Sequence, residues 1–124
     1  MLRIIIADDD LLTRELVCRA LRDPQVEIHQ AASGAELVQL LADEGPFDLV
    51  VTDISMPWMN GIQVILAVRA AEIRTPFVVI TALGDPALAQ QVASLGRTRF
   101  LRKPLDITGL RESVRALLAS SSQE

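Results

Sequence analysis

Four apolar segments of this chain each end on polar residues that can do chemistry. Leu2–Ala7 is followed by Asp8-Asp9-Asp10, and the segment 49–52 is followed by Asp53. The segment 77–80 is followed by Thr81, and the segment 100–102 is followed by Lys103-Pro104. Clustered aspartate oxygens suit a hard divalent cation, and a carboxylate can attack phosphorus to form an acyl phosphate. An ammonium and a hydroxyl can bind the remaining phosphoryl oxygens. These residue types therefore point to phosphoryl transfer onto an aspartate.

Asp53 is the candidate nucleophile of this group. Two carboxylates about 4 Å apart repel by roughly 4 kcal/mol at an effective dielectric constant near 20, so the cluster needs a cation or a proton. We expect Mg²⁺ (or Mn²⁺) at the aspartates, with Lys103 and Thr81 beside the transferred group. Simpler explanations exist for each part, because strand-end aspartates such as Asp8 and Asp10 often cap helices and an aspartate before Met-Pro can begin a loop. We interpret Asp10 as a helix cap.

Strand-like and helix-like segments alternate along the whole chain. The predicted strands are 2–7, 26–31, 49–52, 77–81 and 99–102, and the predicted helices are 11–23, 34–44, 61–71, 86–95 and 107–120. On the first helix, apolar residues at Leu12, Leu16, Val17, Ala20 and Leu21 predict one buried face. This alternation predicts an α/β fold with a parallel sheet.

The composition of the strands predicts their order. The first, third and fourth are continuously apolar, as in central strands that are covered on both faces. The second alternates polar and apolar residues and the fifth is flanked by Arg99 and Arg102, so both suit the edges. The order 2-1-3-4-5 satisfies these constraints and brings the polar strand ends to one crevice.

The overall composition limits the class of protein. The chain has 124 residues, a net charge of −4 and a single cysteine, Cys18. The acidic balance argues against direct binding to nucleic acid. No apolar run approaches the roughly twenty residues that span a bilayer, and Met1-Leu2-Arg3-Ile4 has no signal-peptide pattern. We therefore expect one cytoplasmic domain over residues 1–119, with 120–124 as a polar tail or the start of a linker.

The chain resembles the receiver domains of bacterial two-component response regulators. The resemblance rests on five motifs, which are Ile6-Ala7-Asp8-Asp9-Asp10, 48–53 ending in Asp53, Met56-Pro57 with Asn60-Gly61, Thr81-Ala82, and Lys103-Pro104. It covers essentially the whole chain. It implies a flavodoxin-like, doubly wound (βα)₅ fold, and a signalling switch with no turnover of an external substrate.

The resemblance also implies a role for each matching residue. Asp53 would accept a phosphoryl group from the phosphohistidine of a sensor histidine kinase or phosphotransfer protein. The Mg²⁺ ligands would be Asp9, Asp53 and the backbone carbonyl of Ser55, with Asp8 acting mostly through water. Thr81 and Phe100 would be switch residues, Lys103 would follow the phosphoryl group, and the peptide bond before Pro104 would be cis.

The output implied by the resemblance is a change in the face formed by the fourth helix, fifth strand and fifth helix. That face would control an output domain or a protein partner. Trp58 departs from the family pattern, since glycine is frequent at that position, and a large ring there would overhang the metal site.

Three other hypotheses about the function compete with the receiver-domain hypothesis. A phosphatase of the haloacid-dehalogenase type also uses aspartate, hydroxyl, lysine and Mg²⁺, but Leu12 stands where its motif needs Thr or Val, and its acidic pair follows the lysine. A flavodoxin-like cofactor binder would need a Ser/Thr/Gly-rich loop where this chain has Asp8–Asp10. A receiver-like module that binds partners without phosphorylation stays open, although the complete residue set disfavours it.

Overall fold

The computed structural model of the protein describes residues 1–54, 56, 61–82 and 86–121. Five strands and five helices alternate along it: β1 (Leu2–Ala7), α1 (Leu11–Leu21), β2 (Val26–Ala31), α2 (Gly34–Glu44), β3 (Leu49–Asp53), α3 (Gly61–Ala70), β4 (Phe77–Thr81), α4 (Pro86–Ser94), β5 (Thr98–Arg102) and α5 (Ile107–Ser121). The predicted alternation is confirmed. α5 continues to Ser121, so the first two residues of the predicted tail belong to this helix, and 122–124 lie outside the described residues.

All strand pairs in the sheet are parallel, and the strand order is β2-β1-β3-β4-β5. The predicted order 2-1-3-4-5 and the flavodoxin-like arrangement are therefore confirmed. Asp53 lies beside Ile80 in the register of β3 and β4, and Thr81 lies beside Arg102 in that of β4 and β5. This register brings the ends of β3, β4 and β5 to the same edge of the sheet.

The apolar core consists of two layers, one on each face of the sheet. One layer joins the sheet to α2, α3 and α4 through residues such as Leu37, Ile65 and Val92. The other joins it to α1 and α5 through residues such as Val17 and Leu110. Every residue of β3 and β4 is buried, as expected for central parallel strands.

α1 packs differently from the face that its sequence predicts. Val17 and Cys18 are buried, whereas Leu12 and Leu16 are 75% and 44% exposed. The prediction that Leu12 and Leu16 face the core is wrong. Apolar residues occur on more than one side of this helix, and Leu12 and Leu16 belong to neither of the two core layers. Asp10 caps the helix as predicted, accepting a hydrogen bond from the Leu12 backbone N–H at 3.2 Å.

Arg69, near the end of α3, connects this helix to the segment that precedes β4 and to the segment that precedes β5. Its guanidinium donates hydrogen bonds to the backbone carbonyls of Ile73 (3.0 Å), Thr75 (2.8 Å), Leu95 (3.3 Å) and Gly96 (2.8 Å). It also lies over the Phe77 ring, 5.6 Å from the ring centre. Burial lowers the pKa of Arg69, and the nearby Arg97 and Arg74 lower it further. Arg69 thereby fixes the turns that lead into β4 and β5.

We expect Arg69→Met to lower the free energy of unfolding by about 2–3 kcal/mol. The methionine keeps an apolar stem but leaves the four carbonyls without their donor. Urea unfolding measures the change, with Arg19→Met on the exposed side of α1 as the matched control. Equal midpoints for Arg69→Met and the control would show that this network contributes nothing to stability.

No helix in the described ranges has both the length and the apolar character needed to cross a membrane.

Candidate functional site

Asp53 and Lys103 form an ion pair where β3 and β5 end. The Lys103 ammonium lies 2.8 Å from one Asp53 carboxylate oxygen and 3.5 Å from a carboxylate oxygen of Asp8. Asp53 and Asp8 are both buried, and Lys103 is half-buried. Burial would lower the pKa of Lys103, but the hydrogen bond and charge of Asp53, together with Asp8, outweigh it and raise that pKa. Lys103 therefore stays charged and acts as a counter-ion inside the acidic cluster.

Asp8 is held in place by backbone contacts at the start of α1. One of its carboxylate oxygens accepts a hydrogen bond from the Asp10 backbone N–H at 2.8 Å. Its carbonyl accepts another from the Arg14 guanidinium at 2.7 Å, and the same guanidinium donates to Gln30 at 3.0 Å. The sequence interpretation missed Arg14. Its position one helical turn after Asp10 is the only signal that could have indicated the contact.

The three aspartates at this edge can share a metal ion. Asp8, Asp9 and Asp53 each offer a carboxylate oxygen, and these oxygens lie within 4.8 Å of one another. Burial raises the pKa of Asp8, and the charges of Asp53 and Asp9 add to this against the Asp10 N–H and Lys103, which lower it. Lys103 neutralises only part of the charge of these three carboxylates, and an oxygen-only donor set with remaining negative charge fits a hard divalent cation such as Mg²⁺. The residues thus fit the predicted metal.

Thr81 is fully buried at the end of β4, next to the strand that leads to Lys103. The Lys103 backbone N–H donates to the Thr81 carbonyl at 2.8 Å. The predicted residues Thr81 and Lys103 are therefore neighbours at the same sheet edge as Asp53. The Lys103–Pro104 peptide bond is cis, and so is Gly45–Pro46.

Phe100 lies in β5, which β4 separates from β3 and its Asp53. It is half-buried and packs against the core layer that contains α3 and α4. Ser55, predicted to supply a carbonyl ligand, and Trp58 both lie outside the described residues.

Gly61 brings the start of α3 against the backbone of Asp53. A Cβ atom on Gly61 would lie 2.9 Å from the Asp53 carbonyl oxygen and 3.3 Å from the Ile54 Cα. The Gly61 N–H also donates to the Ile54 carbonyl at 3.0 Å. Because the obstructing atoms are backbone, only glycine permits this approach. In the sequence, Gly61 belongs to one of the motifs that resemble receiver domains, but that motif did not predict this contact.

We expect Gly61→Ala to destabilise the protein by about 1–3 kcal/mol, because the added methyl group pushes α3 away from the end of β3. Thermal unfolding measures the effect. Gly109→Ala in α5 is the matched control, since its nearest contact is the movable Asp106 side chain at 3.3 Å. A neutral Gly61→Ala would show that the close approach carries no cost.

We expect Asp8→Asn to stabilise the metal-free protein at neutral pH by on the order of 1 kcal/mol. The pKa of Asp8 is raised above its ordinary value of 3.8, so the folded state binds this proton more tightly than the unfolded chain does. Ionised Asp8 consequently costs stability at higher pH, and the gain from Asn shrinks as the pH falls through the raised pKa toward 3.8 and is absent below it. Thermal unfolding across pH without metal measures this, with exposed Glu15→Gln as the charge-matched control.

Addition of Mg²⁺ should reverse the order, because wild type keeps the full set of ligands and gains more from binding. If Asp8→Asn melts below wild type in the metal-free protein at pH 7, the assigned cost of ionising the buried Asp8 carboxyl is absent.

The fold and the site together define a class: an α/β domain whose parallel sheet gathers three aspartates and a lysine at the carboxyl ends of its strands. The family model for the response regulator receiver domain matches residues 4–115. The chain belongs to this family. The predicted family is therefore confirmed. Receiver domains of response regulators are phosphorylation-dependent signalling switches.

Individual relatives agree with this assignment. The chain is 31% identical over 121 residues to a Rhizobium etli protein named as a probable chemotaxis protein CheY, covering 96% of this chain and 94% of the relative. It is 33% identical to the regulatory protein AtoC of Escherichia coli, covering 98% of this chain but 26% of AtoC. The solved structure of chemotaxis response regulator CheY4 from Vibrio cholerae superposes with a TM-score of 0.82 at 29% identity, covering 95% of this chain and 99% of that one. The same unit thus makes up nearly all of one relative and about a quarter of another.

Proposed function

We propose that Asp53 accepts a phosphoryl group from the phosphohistidine of a sensor histidine kinase or phosphotransfer protein in the cytoplasm. The observation that carries this proposal is the buried Asp53 carboxylate held 2.8 Å from Lys103, with Asp8 and Asp9 beside it. A buried nucleophile with a fixed ammonium next to it is suited to attack on phosphorus, because the ammonium can neutralise charge on the phosphoryl oxygens.

In the transfer, an Asp53 oxygen forms a bond to phosphorus while the bond from phosphorus to the histidine nitrogen breaks. The electron pair of the broken bond stays on the imidazole nitrogen, and the ring leaves as neutral imidazole when its other nitrogen carries a proton. Lys103 holds one phosphoryl oxygen, and the Thr81 hydroxyl donates to another. The domain assists its own phosphorylation and dephosphorylation and turns over no external substrate.

Asp8, Asp9 and Asp53, together with the Ser55 carbonyl, would hold Mg²⁺ (or Mn²⁺). The bound cation supplies charge neutralisation and orientation for the phosphoryl oxygens. Three carboxylate oxygens within 4.8 Å of one another support this assignment, since the Lys103 ammonium can balance one of the three negative charges.

The connection from Asp53 to the surface runs through β5. The Lys103 backbone is hydrogen-bonded to Thr81 and directly follows Arg102, so a shift of Lys103 toward a phosphoryl group moves the end of this strand. The Thr98 hydroxyl at the other end of β5 donates to the Val92 carbonyl of α4 at 2.7 Å. Phe100 lies between these two points and packs on the α4 side of the sheet. Phosphorylation would therefore shift an equilibrium between two arrangements of α4, β5 and α5.

The α4–β5–α5 face would then control an output domain or a separate protein. AtoC contains this unit as about a quarter of its length, which supports an attached output domain. The match covers 94% of the Rhizobium relative, which supports control of a separate partner protein instead. We expect no direct binding of this domain to nucleic acid or to a membrane.

Incubation with a small acyl phosphate and Mg²⁺ tests the chemistry directly. Intact mass should increase by one phosphoryl group, and the emission of Trp58, the single tryptophan, gives a second readout. Chelation of the metal should prevent the mass change. A protein that stays unmodified with Mg²⁺ present would favour a receiver-like module that binds partners without phosphorylation.

A further inference from the structure

The outer side of α3 carries no charge, although the helix lies on the surface of the molecule. Its one charged residue is Arg69, and the Arg69 guanidinium turns to the backbone carbonyls described above. The exposed residues of the helix are otherwise Gln63, Leu66, Ala67 and Ala70. A surface helix normally turns charged residues to water, and a helix that is apolar on all sides is normally covered. The outer side of α3 therefore has the composition of a contact surface.

A groove between α2 and α3 continues this apolar surface. It has a volume of about 150 Å³ and is lined by alanine and branched aliphatic residues, among them Val38, Ala42, Ala67 and Ile73. Val38 and Ile73 are 36% and 41% exposed, and Leu66, which precedes Ala67 in the chain, is 49% exposed. An apolar cavity of about this volume can hold a group as large as benzene. The groove thus has room for one aliphatic side chain.

The protruding Leu66 and the groove next to it lie on the same surface of the molecule, which we call the α2–α3 surface. Two copies related by a two-fold axis make the same contact twice, so each copy can place its Leu66 in the groove of the other copy. From this arrangement we infer that the α2–α3 surface pairs two copies of this chain in a symmetric dimer. The inference goes beyond the proposed function, because neither Asp53 nor its phosphorylation takes part in the contact.

The charges around the α2–α3 surface favour a second copy over other occupants. No charged side chain lines the groove, so two copies bring no like charges together at its centre. The surrounding charges have both signs, since Asp43 follows Ala42 in the sequence, and Glu72 and Arg74 stand on either side of Ile73. A charged peptide would find no counter-ion in the groove. Helices that lie on membranes have lysine and arginine on their polar face, whereas α3 turns no cation outward.

The size of the α2–α3 surface determines how strong this dimer can be. Stable interfaces bury about 800 Å² on each partner, and smaller ones are weak. The large exposed side chains here are Val38, Leu66 and Ile73, with alanines between them. We therefore expect a reversible dimer that forms at high protein concentration.

Sedimentation velocity of the unmodified full chain over about 10 µM to 1 mM tests the inference. The mean sedimentation coefficient should rise with concentration. Leu66→Glu should weaken dimerisation by about tenfold or more, because it places a charge without a counter-ion in an apolar groove. The matched control is Leu12→Glu, the same change at a leucine of α1 that is 75% exposed, and this variant should dimerise like wild type.

Ala67→Leu separates a specific fit from general apolar association. The larger side chain fills the groove that would receive Leu66, so dimerisation should weaken by about tenfold although the surface gains apolar area. Association without a defined fit would become stronger instead. Circular dichroism checks the fold of each variant. If Leu66→Glu is unfolded, Leu66→Gln puts a polar group in the groove without a charge and decides the same question.

Four results would overturn the inference. The first is a protein that stays monomeric over the whole concentration range, and the second is equal dimerisation by Leu66→Glu and wild type. The third is a dimer that Leu12→Glu abolishes or that Ala67→Leu strengthens. The fourth is a monomer that binds phosphatidylglycerol vesicles in a Leu66-dependent manner, which would assign the α2–α3 surface to a lipid surface.

Discussion

Asp53→Asn should abolish phosphorylation by a small acyl phosphate, with a loss of at least about a hundredfold in the rate. The amide has no anionic oxygen to attack phosphorus, although it keeps nearly the same size and the same place at the end of β3. Intact mass after incubation with Mg²⁺ measures the effect, and peptide mapping of wild type locates the phosphoryl group. Circular dichroism checks that the variant keeps its fold.

Asp10→Asn is the matched control for this prediction. Asp10 is exposed and accepts hydrogen bonds from the Leu12 backbone and from the Thr13 hydroxyl at 2.6 Å, so its role is to cap α1. Asparagine caps helices nearly as well, and phosphorylation should continue at close to the wild-type rate. If Asp53→Asn still gained the phosphoryl mass, with the group mapped to Asp8 or Asp9, the assignment of the acceptor would be wrong.

Lys103→Met should slow phosphorylation by about a hundredfold, because it removes a positioned cation from the reacting group. It should also destabilise the metal-free protein, since Asp53 and Asp8 lose the ammonium at 2.8 and 3.5 Å. Quenched-reaction mass spectrometry measures the rate, and urea unfolding measures the stability. Lys103→Arg, which keeps the charge but changes its shape, should fall between wild type and Lys103→Met.

The stability difference between wild type and Lys103→Met should depend on pH in a defined direction. The pKa of Lys103 is raised above its ordinary value of 10.5, so the charged lysine stabilises the folded state at all lower pH values. That advantage is lost as the pH rises through the folded-state pKa. Phosphorylation of Lys103→Met at the wild-type rate would show that the ion pair has no part in the transfer.

The strand order and the meeting of Asp8, Asp53 and Lys103 at one edge could be predicted from the sequence. Apolar runs that end in polar residues leave few alternatives once the strands are parallel. The buried face of α1 could not be predicted correctly, because Leu12 and Leu16 are as apolar as Val17. Whether they are covered depends on how α1 packs against the sheet and α5, which is a property of the whole fold.

The contacts of Arg69 and Arg14 also could not be read from the sequence. An arginine on a helix is ordinarily expected to face water, and nothing in its neighbours indicates that it turns back to backbone carbonyls. The approach of Gly61 to Asp53 is a further case, since the distance depends on how α3 packs and not on any local pattern. The sequence therefore predicted which residues carry the reactive groups, but it did not predict the close contacts between helices, strands and loops.

The uniform burial of β3 and β4 has a consequence for how a signal can move through this protein. Strands that are packed by branched aliphatic side chains on both faces have no room to slide or tilt. Their amides should be among the last to exchange with deuterium, whether or not Asp53 carries a phosphoryl group. The central strands would then keep one position, and the conformational change would be confined to the elements at the edge of the sheet.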